Sequence, residues 1–302
     1  MAELEGRVAL ITGASRGIGQ AIAVRMAAEG ARVALIGRDE ATRRTDLSGT
    51  LEEGLALIED FGGEAIAVRA DIADTEADKS AVVEEVVAAF GRSPDILVHS
   101  AAAPREFRMD WHIPFAETEA EWFVRGVLVN VWGGWDLAKA VIPAMRERGE
   151  GWILFVSSQQ AAPRPSPVGG GPASPMGGSC IYGGTKAFID RVCSGAAMEL
   201  YEDGIAVNSL APTGAIATPL SISVGVPPEG TEPMETFVEA SLALCTGDPA
   251  ALTSRIVNTL PLLHELQRQV RTIDGSALFE GWQPDHDDER RFHRNYLAAT
   301  GH

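Results

Sequence analysis

The residues Val8–Thr12 are apolar or β-branched, and they lead straight into Gly13-Ala14-Ser15-Arg16-Gly17-Ile18-Gly19, after which a helical pattern runs to Glu29. A strand, a glycine turn and a helix in that order commit the start of the chain to a βα unit. Glycine lets the main chain turn tightly and brings amide N–H groups close to a pyrophosphate, while the helix N-terminus adds partial positive charge. The spacing is G-x-x-x-G-x-G rather than the commoner G-x-G-x-x-G. Gly13, Ser15, Arg16, Gly17, Ile18 and Gly19 are therefore the candidate phosphate-side contacts. The same stretch also spells G-x-S-x-G, the turn that exposes the nucleophilic serine of many hydrolases. Such enzymes place that turn after several strands, with an acid and then a histidine downstream. Here His264 and His286 lie downstream, but the turn follows the first strand.

The rest of the chain repeats the theme. Short apolar runs at 8–12, 32–36, 65–70, 96–99, 152–157 and 206–211 alternate with helical patterns at 17–29, 51–60, 79–90, 119–148 and 182–201. A seventh strand falls around 254–259. This alternation predicts a doubly wound parallel α/β sheet, a Rossmann fold of about seven strands with helices on both faces. Near-continuous apolar strands fit a sheet covered on both sides. Three stretches break the rhythm: 43–50, the Pro/Gly-rich 163–179, and the long connection 212–233. Open α/β sheets bind ligands beyond the carboxyl ends of their strands. The segment 163–179 is therefore expected to be an active-site insertion, and 213–250 a substrate-loop region. A short amphipathic helix at 270–275 and a charged tail are expected to form a C-terminal extension, 260–302, of one domain spanning 1–302.

Composition narrows the partners. A net charge of −17 over 302 residues argues against nucleic acid, which demands a basic face. No apolar stretch approaches membrane-spanning length, no basic segment precedes an apolar run at the N-terminus, and Cys180, Cys193 and Cys245 form no C-x-x-C pair. The expectation is a soluble, cytoplasmic protein with a small-molecule partner and neither membrane nor nucleic acid. His286 and His293 stand in an acidic tail, and no metal site is expected there. In so acidic a chain, arginines near the glycine turn stand out. The second strand ends Leu35-Ile36-Gly37-Arg38, without the acidic residue that would accept from a ribose 2′-hydroxyl. Arg38 and Arg16 offer two guanidiniums to a 2′-phosphate, so NADP(H) is expected over NAD(H). Asp39 beside Arg38 keeps NAD(H) open.

Far downstream, Tyr182-Gly183-Gly184-Thr185-Lys186 places a phenol and an ammonium at i and i+4, on one helix face. A nearby cation favours the phenolate, lowers its pKa and makes Tyr182 a workable general acid/base. With the glycine turn, this resembles a short-chain dehydrogenase/reductase of the single-domain branch. The resemblance runs from about Val8 to Val257. It implies a catalytic set of Asn130, Ser158, Tyr182 and Lys186. Ser158 would bond the substrate oxygen and Tyr182 would move its proton. Lys186 would tune Tyr182 and hold the nicotinamide ribose, and the Asn130 carbonyl would order a water that relays protons to solvent. It further implies that Asp71 and Ile72 lie beside the adenine and that His99 and Ala101 lie along the cofactor. Pro212, Ile216 and Thr218 would sit at the nicotinamide.

Three departures from the family pattern stand out. His99-Ser100-Ala101-Ala102 replaces Asn-Asn-Ala-Gly, Ser158 and Tyr182 are about ten residues further apart than usual, and the proline-to-threonine spacing is one residue long. The last, with the extension at 47–50, is similar to hydroxysteroid-dehydrogenase-like and citronellol-type members. The expected activity is hydride exchange between NADP(H) and a secondary alcohol or ketone. Alternatives are reduction of a 3-oxoacyl thioester, a non-catalytic NADP(H) sensor, and the hydrolase. Trp111, Trp122, Trp132 and Trp135 read as core or interface anchors, with lining of a hydrophobic substrate pocket as the alternative. The resemblance also implies that helices 119–148 and 182–201 build the interface of a homodimer or homotetramer.

Overall fold

Strand β1 (Val8–Thr12) is buried at all five positions, because both its faces are covered. Val8 and Leu10 belong to one apolar cluster, Ala9 and Ile11 to the other, as the two-residue period of a strand requires. Six further strands join it: β2 (Arg32–Gly37), β3 (Ala65–Arg69), β4 (Ile96–His99), β5 (Gly151–Val156), β6 (Ile205–Ala211) and β7 (Ile256–Asn258). Their order is β3-β2-β1-β4-β5-β6-β7, and every pairing is parallel. The computed structural model describes residues 2–38, 48–103, 115–162, 180–223 and 231–280. The Pro/Gly-rich 163–179, Asp39, Trp111, His286 and His293 lie outside them.

Helices clothe both faces. Residues of α1 (Gly17–Ala28), α2 (Leu51–Glu59), α8 (Met234–Leu244) and α9 (Thr259–Glu265) enter one cluster. Residues of α3 (Ser80–Phe90), α5 (Gly133–Arg148) and α6 (Cys180–Glu199) enter the other. Each fully buried Leu, Ile or Val among them contributes about 1.5–3 kcal/mol. Between α3 and α5 lies α4 (Ala120–Val127), and α7 (Pro219–Ser223) follows β6. The expected helix 119–148 is continuous but not uniform: a π-turn, Leu128–Trp132, joins α4 to α5. At the amino edge, buried Asp95 accepts the Val8 N–H (2.9 Å) and pairs with Arg92 (2.6 Å) and Arg148 (3.2 Å), tying β4 to β1.

Two elements differ from expectation. Helix α8 is buried from Thr236 to Leu244, so METFVEASLAL shows no polar face and gives no amphipathic signal. Residues 270–275 are not helical. Arg271 and Leu278 form an antiparallel bridge, and the turn between them is built on Asp274, which accepts from Thr272 (2.5 Å) and the Ser276 N–H (3.1 Å). Short polar side chains that bond the nearby backbone win over helix there. No helix among the described residues is long and apolar enough to cross a membrane.

Candidate active site

The chain reverses its direction of winding beside β1, which has β2 on one side and β4 on the other. A crevice at the carboxyl ends of the strands follows from that topology. Gly13 leaves β1 with φ +67°, and a Cβ there would stand 2.8 Å from the Ala101 backbone. Only glycine permits this contact between the turns that end β1 and β4. The first turn of α1 holds no acidic residue and no side chain caps it, which leaves its leading N–H groups to an anion. These residues fit the phosphates of a dinucleotide. Ser15 and Ile18 belong to the same turn, with Ile18 packed on the core. Arg16 folds over the segment that follows β2, donating to the Gly49 carbonyl (3.0 Å).

Arg38 stands where β2 ends and acts electrostatically on Asp71, beyond β3. Asp71 accepts from the Ala73 N–H (2.9 Å) and from Arg125 (3.0 Å). Burial works to raise this carboxyl, but those donors and the two arginines hold it below its ordinary value. Ile72 is buried, close against Gly133. Across the crevice, Thr218 lies 3.6 Å from where a Cβ on Gly17 would be, so the loop after β6 reaches the glycine turn. That loop, which starts at Pro212, is pinned by buried Glu232. Its carboxylate accepts from the Gly214 N–H (2.7 Å), Thr236 (2.8 Å) and Thr259, and its own N–H donates to Ala215 (2.8 Å). Ile216 bridges to the same residue.

Ser158 follows β5 and starts a short turn by accepting from the Gln160 N–H (3.2 Å). A Cβ on Gly183 would sit 2.6 Å from the Gln160 carbonyl, so α6 rests directly on that turn. The hydroxyls of Ser158 and Tyr182 thereby meet in a hydrogen bond. Lys186 lies beneath the phenol, its Nζ 5.6 Å from the ring centroid and donating to the Val156 carbonyl (2.6 Å). Burial pushes this lysine down to about 8, against the pull of Asp190. Burial also raises the phenol, and only the Ser158 bond opposes it. The spacing argument expected the cation to dominate Tyr182. Desolvation dominates instead, because both groups are withdrawn from water together.

Asn130 occupies the π-turn, fully buried. Its Nδ2 donates to Thr185 Oγ1 (2.9 Å), its Oδ1 accepts from the Ala103 N–H (2.9 Å), and Thr185 donates to the Tyr182 carbonyl (2.8 Å). The Asn130 carbonyl, expected to hold a water, accepts from His99 Nε2 (3.2 Å). A carbonyl cannot donate, so Nε2 bears the proton and Nδ1 is bare. Thr12 Oγ1 then donates to Nδ1 (2.9 Å) and accepts the N–H groups of Ser100 and Ala101 (both 3.2 Å). His99 thus sits behind the crevice rather than in it. Thr12, Thr185, Asp190, Arg125 and Glu232 were not singled out from the sequence. Asp190 alone carried a readable signal, since it extends the four-residue spacing of Tyr182 and Lys186.

The family model described as short chain dehydrogenase matches residues 7–225. The chain belongs to the short-chain dehydrogenase family. It is an oxidoreductase, and the hydrolase reading of G-x-S-x-G gives way to this assignment. The short-chain dehydrogenase relatives include Oxidoreductase UcpA of Salmonella typhimurium, 31% identical over 247 residues, which are 81% of this chain and 82% of that protein. A 3-oxoacyl-[acyl-carrier-protein] reductase FabG of Staphylococcus aureus is 33% identical over 207 residues, 68% of this chain and 72% of that one. Among solved structures, a 3-oxoacyl-[acyl-carrier protein] reductase of Brucella melitensis with bound NAD superposes with TM-score 0.68 at 26% identity, covering 85% of this chain and 90% of that one. A candidate 2-deoxy-D-gluconate 3-dehydrogenase of Agrobacterium tumefaciens with bound NADP gives 0.65 at 26%, covering 85% and 95%.

His99 makes a prediction about pH. Burial and the charge of Lys186 push its ring from 6.5 down to about 3. The unfolded chain therefore takes up this proton first. The stability due to a neutral His99 is complete above pH 6.5 and is lost as pH falls toward 3. Urea unfolding between pH 7 and 4.5 should show wild type losing up to about 1.4 kcal/mol per pH unit more than His99→Gln. Equal slopes would contradict the assignment.

Proposed function

We propose that this protein is an NADP(H)-dependent oxidoreductase exchanging a hydride between the nicotinamide and a secondary alcohol or ketone. The observation that carries this reading is the hydrogen-bonded Ser158–Tyr182 pair above Lys186, across from a glycine turn fit for phosphates. When bound, the nicotinamide supplies the hydride donor or acceptor. Ser158 donates to the substrate oxygen and steadies the charge that develops on it. Tyr182 gives that oxygen a proton in reduction and removes it in oxidation. Lys186 places a positive charge beneath the phenol and would hold the ribose hydroxyls. Asn130, through Thr185, fixes the first turn of α6 on which Tyr182 rides. Ile216 and Thr218 would hold the carboxamide.

Arg16 and Arg38 support NADP(H) as the preferred cofactor, with NAD(H) as the alternative, and the relatives' structures carry one or the other. A second substrate reading, a 3-oxoacyl thioester, is supported by the FabG similarity. The complete set of Asn130, Ser158, Tyr182 and Lys186 favours catalysis over a purely sensing role. We place the protein in the cytoplasm as a homodimer or homotetramer, for which Phe123, Val124, Trp135 and Phe188 expose apolar surface along α4, α5 and α6.

Oxidation of NADPH, followed at the nicotinamide absorbance band, should depend on a ketone from a graded panel. Tyr182→Phe should lose at least about a hundredfold in rate while still binding cofactor; a near-native rate would refute the assignment. The Michaelis constant for NADPH should lie below that for NADH, and equal or better use of NADH ends the preference. Light scattering should return a dimer or tetramer; a monomer contradicts the interface.

A further inference from the structure

Between the Ser158–Tyr182 pair and the glycine turn runs the segment that follows β6, and a buried carboxyl group outside the catalytic set holds it. The Ser157 N–H donates to the Leu210 carbonyl (2.8 Å), so the end of β6 lies beside the turn that begins at Ser158. At its far end the segment reaches the glycine turn, where Thr218 stands 3.6 Å from the place of a Cβ on Gly17. Residues 212–218, PTGAIAT, offer one large apolar side chain, Ile216, to the core. Polar bonds must fix the rest. Buried Glu232 supplies them. Its Oε2 accepts from the Gly214 N–H (2.7 Å), its own N–H donates to the Ala215 carbonyl (2.8 Å), and it bridges to Ile216.

The other carboxyl oxygen reaches the helices behind. Oε1 accepts from Thr236 in the first turn of α8 (2.8 Å) and from Thr259 at the start of α9. Thr259 Oγ1 in turn accepts the Thr213 N–H (3.0 Å), and Thr213 Oγ1 accepts the Leu260 N–H (3.0 Å). Further out, Ser221 braces the segment: its Oγ donates to the Ile216 carbonyl (2.7 Å) and its N–H to Thr218 Oγ1 (3.0 Å). We propose that Glu232 is a positioning residue, whose carboxyl group holds residues 214–216 in the shape that receives the nicotinamide half of the dinucleotide. The proposal deepens the redox reading and rests on it for the identity of that half. Glu232 works from the β6 side of the sheet, on the path from phosphate turn to reacting pair. Arg38 and Asp71 stand beyond β2 and β3, on the other side of β1.

The consequence is a division of labour between the two halves of the crevice. A wall already shaped by bonds within the protein need not be ordered when the ring docks against it. Without the Glu232 carboxyl, the Gly214 N–H loses its acceptor, and α8 and α9 lose their tie to the segment. The dinucleotide must then order that wall itself, whereas its adenosine half docks elsewhere and is indifferent. Glutamine preserves part of the clamp. Its Oε1 can accept from Gly214 while its Nε2 donates to Thr236, whose own hydroxyl also reaches the Pro233 carbonyl (2.7 Å).

Hydrogen exchange of the ligand-free protein reads the clamp directly. In wild type the amides of Thr213, Gly214 and Glu232 should be protected, as those of β6 are. In Glu232→Ala they should exchange at least about tenfold faster, with β1 and β4 unchanged. The Kd of NADPH should rise about tenfold in that variant while the Kd of 2′,5′-ADP stays within about twofold. NADH against ADP should give the same contrast. Glu232→Gln, which keeps the Gly214 bond, should show it at about threefold. Glu239→Gln disturbs the same helix two turns on, where Glu239 pairs with Arg25 (2.8 Å) and Arg268 (2.7 Å), and should show no contrast. Equal losses for dinucleotide and adenosine half overturn the proposal. So do unchanged affinities in folded Glu232→Ala, or the same contrast in Glu239→Gln. Rapid exchange at Gly214 in wild type overturns it without any variant. Exchange needs no cofactor, so it separates this inference from the redox reading. If wild type binds neither dinucleotide while the segment still loosens in Glu232→Ala, the clamp stands and the redox reading falls.

Discussion

The site depends on how closely the ends of β1 and β4 approach one another. Gly13 touches the backbone of Ala101 because it has no side chain, and Thr12 binds the next turn through its hydroxyl. From that contact a line of hydrogen bonds runs through His99 to the Asn130 carbonyl, then through the Asn130 amide and Thr185 to the backbone of Tyr182. The floor of the cofactor crevice and the catalytic phenol are thus parts of one buried polar network. Each member has its partners, which is the condition under which such a network rigidifies a core rather than weakening it.

The π-turn, Leu128–Trp132, lies at the centre of this network. Asn130 within it offers its carbonyl to Nε2 of His99 and its side-chain amide to Thr185 and the Ala103 N–H. The histidine standing where the family has asparagine is therefore accommodated without loss of the strand tie. His99 binds Thr12 of β1 on one side and the widened helix on the other. Gly134 leaves room for the ring: a Cβ there would lie 2.5 Å from it.

Much of this was legible in the sequence, for reasons particular to each element. Strands buried on both faces announce themselves as apolar runs, and Val8–Thr12 and Ile96–His99 were placed to the residue. The glycine turn and the Tyr182–Lys186 spacing are local, so they survive translation into one dimension. Helix α8 was silent because burial on all sides removes the polar stripe that marks a helix. The turn at 270–275 was misread because Thr272, Asp274 and Ser276 bond the backbone locally, which a count of apolar positions does not see. The electrostatics were less legible. Spacing shows that a lysine is near a tyrosine, but only the fold shows that both are desolvated and that Ser209 and Asp190 meet from different elements.

Glu232 links regions far apart in sequence. It fastens the root of the segment after β6 to the starts of α8 and α9, through Gly214, Ala215, Thr236 and Thr259. The stretch from Gly214 to Ile216 is thereby a fixed jamb on this flank of the crevice, set by a carboxylate that stands far from it in sequence.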